Sequence, residues 1–326
     1  MSGEARPALS VVIPVFNEAP SLGDLHDRLA RTLKEIGQPW EIIFVDDGSR
    51  DGSAEVLRAL HAQDPAVRVV RFNRNYGQHA AVLAGMERAR GDIVVTLDAD
   101  LQNPPEEIPR LLARLGDDVD VVGGWRVNRH DSWVRRAASW TVNRLTSVIV
   151  GVRMRDYGCM LRAYRRAVVE QVVACRESSQ FIPALANTFA TSVAEVPVDH
   201  GPRRHGRSRY GLFRLLRLNF DLLTGFSLLP IQIVSLTGVL VAMLGLGFAV
   251  LLGVRRLLLG PEVEGVFTLF AILFFFVGLQ ILALGLIGEY VGRIYQEVRR
   301  RPRYVGDRPR GRARLRAGRE GAHALR

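Results

Sequence analysis

The sequence predicts an α/β fold in which a mostly parallel sheet with flanking helices precedes a C-terminal hairpin of two transmembrane helices. Two patterns predict this architecture. Over residues 9–123, short β-branched apolar runs alternate with segments of helical periodicity. Continuously apolar strands separated by single helices are typical of a parallel sheet covered on both faces. Farther along, residues 231–254 and 265–288 contain no ionised side chain, as expected for helices that cross a membrane.

The first part of the chain supplies the elements of the sheet in alternating order. Predicted strands cover residues 9–16, 40–46, 67–72, 93–98 and 119–123, and predicted helices cover residues 21–36, 53–61, 78–90 and 105–115. Ser21 and Asp24 resemble a capping box, which predicts that the first helix begins near Ser21.

The two apolar C-terminal runs are each long enough to cross a bilayer core of about 30 Å as helices. Their polar interruptions are uncharged and are therefore far easier to place in lipid than ionised groups; they are Gln232, Ser235, Thr237, Thr268 and Gln280. A buried hairpin of a soluble protein is the alternative. No signal peptide is predicted, so residues 1–225 should form a cytoplasmic domain, residues 226–292 the membrane hairpin and residues 293–326 a basic cytoplasmic tail.

The net charge of +11 raises the question of a nucleic-acid partner. Many arginines, however, crowd into residues 293–316 beside the second apolar run, where basic residues stay on the cytoplasmic side and attract anionic lipid head groups. Two more basic segments, residues 133–150 and 210–225, predict amphipathic helices in the membrane interface, with ordinary core packing as the alternative for the first. The predicted partner is therefore the cytoplasmic membrane, with no nucleic acid.

Polar and acidic side chains follow three of the predicted strands. They are Asn17 and Glu18 after the first strand, Asp46 and Asp47 at the end of the second, and Asp98 and Asp100 at the end of the fourth. Ligands of open parallel sheets bind outside the carboxyl ends of the strands, so these groups should converge on one crevice. The first strand is not followed by a G-x-G-x-x-G turn, which removes the main support for a dinucleotide site.

Asp98 and Asp100 are two residues apart in a segment predicted to be extended, so both carboxylates should point to the same side. Like charges that close require neutralisation. With Gln102 they form an all-oxygen set without a nearby Cys or His, which suits Mg²⁺ or Mn²⁺ carrying substrate phosphates. A solvated acidic turn is the alternative.

Several segments resemble a known family. Val-Ile-Pro-Val-Phe-Asn-Glu at 12–18, Val-Asp-Asp-Gly-Ser at 45–49, Asp-Ala-Asp-Leu-Gln at 98–102 and the two C-terminal runs resemble the family 2 glycosyltransferases that charge polyisoprenyl phosphates. Residues 73–79, 156–164 and 288–295 are similar to those of members that transfer 4-deoxy-4-formamido-L-arabinose to undecaprenyl phosphate. The resemblance covers roughly residues 8–305.

The resemblance implies a GT-A-like fold and a metal-dependent enzyme that moves a sugar from a UDP-sugar to undecaprenyl phosphate. By the same resemblance, the nucleotide-sugar would be held by Pro14, Phe16, Glu18, Asp46, Asp98 and Arg203. The metal, Mg²⁺ or Mn²⁺, would be held by Asp98, Asp100 and Gln102. The transfer itself would involve Asp100, with Arg126, Arg135 and Ser139 receiving the lipid phosphate; Arg135 and Ser139 are one helical turn apart.

The expected reaction is an inverting transfer that yields a lipid-linked sugar for cell-envelope glycan or lipid A modification. Other polyprenyl-phosphate transferases, for glucose or mannose, remain open, as does an inactive membrane scaffold that binds nucleotide-sugar. A processive polysaccharide synthase is disfavoured because two spans make a poor channel and no Gln-x-x-Arg-Trp signature is present. Gly288 and Gly292 form a G-x-x-x-G pair, which leaves a homo-oligomer open.

Overall fold

The computed structural model describes residues 6–116, 118–127, 147, 152, 154–175, 181–201, 229–260, 266–299 and 303–306. The strands are β1 (Leu9–Val15), β2 (Trp40–Asp46), β3 (Val67–Arg71), β4 (Ile93–Thr96), β5 (Val121–Arg126), β6 (Arg162–Arg165) and β7 (Val193–Val198). The helices are α1 (Ala19–Ile36), α2 (Ser53–Gln63), α3 (Gln78–Met86), α4 (Ile108–Arg114), α5 (Arg166–Ala174), α6 (Ile182–Phe189), α7 (Leu229–Leu259) and α8 (Val266–Val298), with a 3₁₀ turn at Pro105–Glu107.

The seven strands form one sheet in the order β3-β2-β1-β4-β6-β5-β7. β1 pairs in parallel with β2 and β4, β2 with β3, and β5 with β7. β6 runs antiparallel to both of its neighbours, β4 and β5. The predicted mostly parallel α/β sheet is confirmed, with one reversed strand that the sequence did not indicate.

Both faces of the sheet are covered by helices, as the unbroken apolar strands predict. On one face, alternate residues of β1 such as Val11 and Ile13 pack in a buried cluster with Leu25 of α1 and Leu111 of α4. On the other face, Val12 packs with α3, α5 and α6. Successive side chains of a strand point to opposite faces, so a strand covered on both faces is apolar at most positions, and its buried polar residues need hydrogen-bond partners.

Element boundaries differ from the predictions where local signals were misinterpreted. α1 begins at Ala19 and its first turn has no side-chain cap, so the capping box predicted at Ser21 is wrong. Ser21 is instead buried, and its hydroxyl donates to the carbonyl oxygens of Glu18 and Ala99. β4 ends at Thr96, before the acidic pair, so the prediction that the pair lies in extended chain is also wrong. β6, β7, α5 and α6 were not predicted.

The buried carboxylate of Glu41 connects the amino ends of β1 and β2 with the residues that precede β4. Glu41 of β2 accepts hydrogen bonds from the Ser10 hydroxyl at 2.7 Å and from the Arg90 backbone N–H at 2.7 Å. Its other oxygen accepts from Arg68 at 3.0 Å and from the Arg90 side chain at 3.1 Å. Burial favours the neutral acid, but these hydrogen bonds and the Arg68 charge outweigh it and lower the pKa of Glu41.

Replacing Glu41 by Gln should lower the free energy of unfolding by about 2–3 kcal/mol, because one amide oxygen cannot accept all four hydrogen bonds. Since the folded pKa is depressed, this contribution is complete above the unfolded pKa of about 4.3 and is lost as the pH falls through the folded pKa. Denaturant unfolding at pH 7 and at pH 3 measures both effects. Glu170→Gln, on the exposed surface of α5, is the control, and equal stability of the two variants at pH 7 would contradict the assignment.

Two long apolar helices, α7 and α8, form the C-terminal part of the described chain. Within the described residues, one helix meets the length and hydropathy requirements for crossing a membrane, over Phe275–Gly292. In α7 the apolar stretch Pro230–Gly245 is shorter. One of the two predicted spans is therefore matched by a candidate, and the two-span hairpin stays a prediction. The predicted interfacial helices at 133–150 and 210–225 lie outside the described residues, apart from Ser147.

Candidate active site

The turn after β2 holds two adjacent buried carboxylates. The Asp46 side chain accepts a hydrogen bond from the Ser49 backbone N–H at 2.8 Å. Its second oxygen, Oδ2, lies 3.3 Å from Arg71 Nε and is buried without a hydrogen bond among the described residues. The Arg71 charge partly compensates this oxygen, but a buried acceptor without a hydrogen bond still gains from a donor, so Asp46 is suited to receive an N–H from a bound molecule.

Asp47 anchors the loop that connects β3 to α3, residues 72–77, called the β3–α3 loop from here on. Its carboxylate accepts hydrogen bonds from the backbone N–H groups of Tyr76 and Gly77 at 2.6 and 2.9 Å, and from the Asn75 side chain at 2.8 Å. Burial raises the pKa of Asp47, although both backbone bonds oppose that shift. Asp47 therefore fixes this loop beside Asp46, a structural role that the sequence did not separate from ligand binding.

Gly48 allows the β3–α3 loop to approach the β2–α2 turn. Its φ is +71°, and a Cβ there would lie 2.5 Å from the Arg74 carbonyl carbon. Such a contact with backbone cannot be relieved by a side-chain movement, and the left-handed φ is itself unfavourable for other residues. The glycine of the Asp-Asp-Gly-Ser segment is therefore a packing requirement of the site.

The same loop leads directly into a contact with the predicted metal residues. Gln78, the first residue of α3, donates from its side-chain nitrogen to Asp98 Oδ1 at 2.7 Å. One continuous segment thus bonds Asp47 after β2 and Asp98 after β4. This shared partner joins the turns at the carboxyl ends of two strands, at the edge of the sheet where its topology predicts a ligand site.

Asp98, Asp100 and Gln102 lie in a turn, with Leu101 at φ 60°. The Gln102 backbone N–H donates to Asp100 Oδ1 at 3.1 Å. A bulky residue in the left-handed region is unusual, and such strain concentrates at functional sites. The turn, and not an extended strand, therefore brings the two carboxylates to the site.

The start of α1 is tied to both acidic turns. Asn17, with φ 57°, receives a hydrogen bond on its side-chain oxygen from the Arg50 backbone N–H at 2.8 Å. The Glu18 backbone N–H donates to the Ser53 hydroxyl at 3.1 Å. Together with the bond from Ser21 to the Ala99 carbonyl at 2.8 Å, these contacts place Phe16 and Glu18 between the turns that carry Asp46 and Asp98.

Arg126, at the end of β5, forms a bidentate ion pair with Asp156. Nε lies 2.6 Å from Asp156 Oδ2 and Nη2 lies 2.9 Å from Oδ1. Burial disfavours the guanidinium charge, but the pairing with Asp156 more than compensates and raises the pKa of Arg126, with the negative charge of Asp98 acting in the same direction. Arg126 is therefore a permanently charged group near the turn that carries Asp98, and two of its N–H groups are engaged by Asp156.

A second arginine shapes the segment that carries Asp156. Arg162 is fully buried and donates to the carbonyl oxygens of Cys159 at 2.9 Å and Asp156 at 3.1 Å. The backbone N–H groups of Arg155 and Asp156 donate in turn to Glu195 of β7, at distances of 2.9 to 3.2 Å. Residues of three strands, β5, β6 and β7, therefore fix the orientation of Asp156, and Asp156 in turn orients Arg126.

His79, next to Gln78, adds no positive charge at neutral pH. Burial lowers its pKa to about 4, and its ring lies edge-on to Phe181 with 5.4 Å between the ring centroids. The positive charge that the acidic turns require must therefore come from arginines or from a bound cation.

The described residues bring together most of the predicted site. The turns that carry Asp46 and Asp98 are linked through the β3–α3 loop, and Arg126 interacts with Asp98 through its charge. Pro14 lies in β1 past the last residue that pairs with β4, where a missing N–H is tolerated. Arg135, Ser139 and Arg203 lie outside the described residues. The nearest described residue to Arg203 in sequence is Gly201, whose N–H donates to the Gln102 carbonyl at 2.9 Å.

Sequence reasoning placed Asp47 near the site but not its role as an anchor, and it missed Gln78 and the Asp156 partner of Arg126. A signal was present for both missed residues, because residues 73–79 and 156–164 carried part of the family resemblance. Nothing in their spacing assigned a contact, since Asp156 and Arg126 are brought together only by the pairing of β5 with β6.

The donor set fits a hard divalent cation. Two carboxylates and an amide side chain stand in one turn, and oxygen donors of this kind suit Mg²⁺ or Mn²⁺. Within the described part of the chain, no group of three or more His, Cys, Asp or Glu side chains is arranged to hold a metal. The predicted set contains only two carboxylates, so substrate phosphate or water oxygens would complete the coordination.

Comparison with known proteins identifies the family. Residues 10–173 match the family model described as glycosyl transferase family 2. Two relatives, from Edwardsiella ictaluri and Aeromonas hydrophila, are both named undecaprenyl-phosphate 4-deoxy-4-formamido-L-arabinose transferase. The first is 54% identical over 91% of this chain and 92% of its own length; the second is 52% identical with the same coverage. The chain belongs to glycosyl transferase family 2.

The fold of this family 2 glycosyltransferase also resembles solved structures. Glucosyl-3-phosphoglycerate synthase from Mycobacterium tuberculosis, in complex with Mn²⁺, UDP and phosphoglyceric acid, superposes with a TM-score of 0.52 at 19% identity, over 68% of this chain and 78% of that one. Its complex with UDP alone gives a TM-score of 0.51 at 20% identity, over 68% and 79%. At such low identity, the likeness establishes the GT-A-like fold of the family 2 domain and leaves its substrates to be argued from the site.

Proposed function

We propose that this family 2 glycosyltransferase transfers a sugar from a UDP-sugar to undecaprenyl phosphate at the cytoplasmic face of the inner membrane. The observation that carries the proposal is the link between the two acidic turns, since the β3–α3 loop bonds Asp47 at one end and leads to Gln78, which bonds Asp98. The Arg126 charge, fixed by Asp156, lies near enough to Asp98 to interact with it electrostatically. The names of the two relatives support the acceptor and the chemical class of the reaction.

The donor side is assigned to the carboxyl ends of β1, β2 and β4. Asp46 Oδ2 is a buried acceptor without a hydrogen bond among the described residues, which suits the ring N–H of a uracil base. Pro14, Phe16 and Glu18 complete the uridine pocket on the β1 side. Arg203 is assigned to the UDP diphosphate, which is supported by the bond between Gly201 and the turn that carries Gln102.

Asp98, Asp100 and Gln102 would hold a Mg²⁺ or Mn²⁺, and such an ion would supply positive charge to stabilise the leaving diphosphate. The chain itself contributes the remaining cation. Arg126, fixed by Asp156, offers the N–H groups that Asp156 does not engage to the lipid phosphate, and arginine remains charged at any physiological pH. Arg135 and Ser139 are assigned to the same phosphate.

The proposed chemistry is a single displacement. An oxygen of the lipid phosphate attacks the anomeric carbon, the bond from that carbon to the UDP oxygen breaks, UDP leaves with the electron pair, and the configuration inverts. Because the second pKa of a phosphate monoester is about 6, the nucleophile is already an anion at neutral pH and no general base is needed. The protein's task is to hold two anions together in line and to stabilise the departing charge.

The membrane part would present the acceptor. The candidate span Phe275–Gly292, the second proposed span in α7 and the two proposed interfacial helices would hold the crevice at the level of the head groups. We assign the catalytic domain and the tail to the cytoplasmic side, as the arginines of the tail favour. A homo-oligomer through Gly288 and Gly292 is compatible with this arrangement.

The proposed sugar is 4-deoxy-4-formamido-L-arabinose, on the strength of the relatives' names, with glucose and mannose as the competing donors. Purified full-length protein in nanodiscs should be given undecaprenyl phosphate and a panel of labelled UDP-sugars, with and without EDTA. We expect label in the organic-extractable lipid from one donor, loss of transfer with EDTA, and recovery on adding Mn²⁺ or Mg²⁺. Transfer from a different donor would correct the sugar alone, and UDP binding without transfer from any donor would favour the inactive scaffold.

A further inference from the structure

Four residues that follow α8, Arg303–Gly306, lie against the α/β domain, and we call them the C-terminal strap. The Tyr304 ring stacks on Phe72 with 4.6 Å between centroids and 18° between the ring planes. Its hydroxyl accepts a hydrogen bond from Arg88 Nη1 at 2.7 Å and donates to the Glu87 carboxylate. The tyrosine is thus held between the end of β3 and the turn after α3.

Backbone contacts continue the attachment. The Asn73 N–H donates to the Val305 carbonyl at 3.2 Å, and Phe72 forms an antiparallel bridge with Gly306. The Arg303 guanidinium donates to the carbonyl oxygen of Cys175. β3 is the outermost strand on its side of the sheet among the described strands. The strap pairs with the residue that follows β3, at an edge where added backbone pairing is favourable.

The strap contacts the same loop that reaches the candidate active site. The Phe72 ring lies edge-on to Tyr76 with 5.6 Å between centroids, and the backbone N–H of Tyr76 is bonded to Asp47. The loop then continues to Gln78, which is bonded to Asp98. Tyr304 is therefore connected to both acidic turns through one short, continuous segment without touching either of them.

We propose that Tyr304 is a positioning residue, and that the C-terminal strap holds the β3–α3 loop in the geometry that bonds it to Asp47 and places Gln78 against Asp98. Because the strap follows α8 after a short connection, it also couples the end of a membrane helix to the donor side of the crevice. This inference rests on the proposed function for its kinetic consequence, whereas its structural consequence can be measured without activity.

The effect of losing Tyr304 should be local. The Tyr304 side chain is only partly buried and packs at the margin of the buried cluster that includes α3. Its removal should therefore leave the sheet intact and increase motion mainly in the β3–α3 loop. Local opening of a surface loop can change independently of global unfolding. Small displacements of groups that orient a substrate are costly for the rate.

The test uses the full-length protein in nanodiscs, with hydrogen exchange followed in peptides that cover residues 72–79 and, for comparison, β7. In Tyr304→Ala, we expect exchange at Tyr76 and Gly77 to accelerate roughly tenfold with β7 unchanged, and kcat/KM for the UDP-sugar to fall roughly tenfold. Tyr304→Phe retains the ring and should restore most of both values. Tyr295→Ala removes an exposed aromatic ring of α8 and should leave loop exchange at the wild-type rate.

Unchanged exchange in residues 72–79 of Tyr304→Ala would overturn the proposal. So would equal acceleration in β7, which would indicate general destabilisation instead of positioning. If the wild-type protein transferred no sugar from any donor, the proposed function would fail, and the exchange measurement would still decide whether the strap holds the loop.

Discussion

Replacing Asp100 by Asn is expected to lower the rate of sugar transfer by about 100-fold or more while the protein remains folded. The substitution removes one negative charge from the proposed metal set without changing the side-chain volume, and loss of one well-placed electrostatic group typically has an effect of this size. The bond from the Gln102 backbone N–H to Oδ1 can be kept by an amide oxygen, so the turn should retain its shape.

The measurement is kcat at saturating UDP-sugar and undecaprenyl phosphate, with a titration of Mn²⁺ for each variant. Asp118→Asn makes the same chemical change at an exposed position and should behave as wild type. The metal assignment predicts that Asp100→Asn also needs a higher Mn²⁺ concentration for half-maximal activity. Full activity in a folded Asp100→Asn protein would refute the assignment.

Replacing Asp156 by Asn is expected to reduce both stability and activity. An asparagine presents an N–H₂ group where one of the two oxygens now receives Arg126, so one charge-assisted hydrogen bond becomes a repulsive contact and a largely buried guanidinium loses its counter-charge. Breaking such a pair typically lowers the free energy of unfolding by about 3–5 kcal/mol, and the partial exposure of Arg126 reduces our expectation to about 2–4 kcal/mol. The released arginine should lower the transfer rate roughly 10–100-fold.

Thermal unfolding and acceptor kinetics together test this expectation. The specific signature is a change in the dependence on undecaprenyl phosphate, because Arg126 is proposed to contact that substrate, while UDP binding stays within about threefold of wild type. Asp118→Asn again serves as the control. A variant that lost stability but kept wild-type kinetics would show that the ion pair only supports the fold.

Asp100→Asn and Asp156→Asn test two kinds of acidic residue that cannot be distinguished from the sequence. Asp98 and Asp100 stand in a turn next to the crevice and are proposed to contact a ligand. Asp47 and Asp156 are buried, and their carboxylate oxygens accept hydrogen bonds from other protein groups. Asp47 accepts from three N–H donors, and Asp156 accepts two hydrogen bonds from the Arg126 guanidinium. Their contribution is to fix the loop and the arginine that would act on substrate.

Much of the fold could be predicted from the sequence, because the signals for strands and helices lie in contiguous residues. Strands β1, β2 and β4 each contain a run of at least three consecutive apolar residues, and the helices between the strands repeat their apolar residues at helical spacing, so their type and order could be predicted. β6 and β7 contain no such run, because arginine, glutamate or proline interrupts them, which conceals them in a pattern analysis. The reversal of β6 depends on pairing between distant segments and leaves no local signature.

The sequence by itself determined the α/β class, the family and the acidic residues at the ends of β2 and β4, because periodicity and short motifs are properties of contiguous residues. Only the tertiary structure decided that Asp46 keeps a buried acceptor oxygen without a hydrogen bond in the described chain, that Asp156 holds Arg126, and that Tyr304 packs on the β3–α3 loop. Each of these depends on residues far apart in the chain, brought together by strand pairing and burial. Contacts of that kind are set by the free energy of the whole fold and are not encoded in the spacing of any one segment.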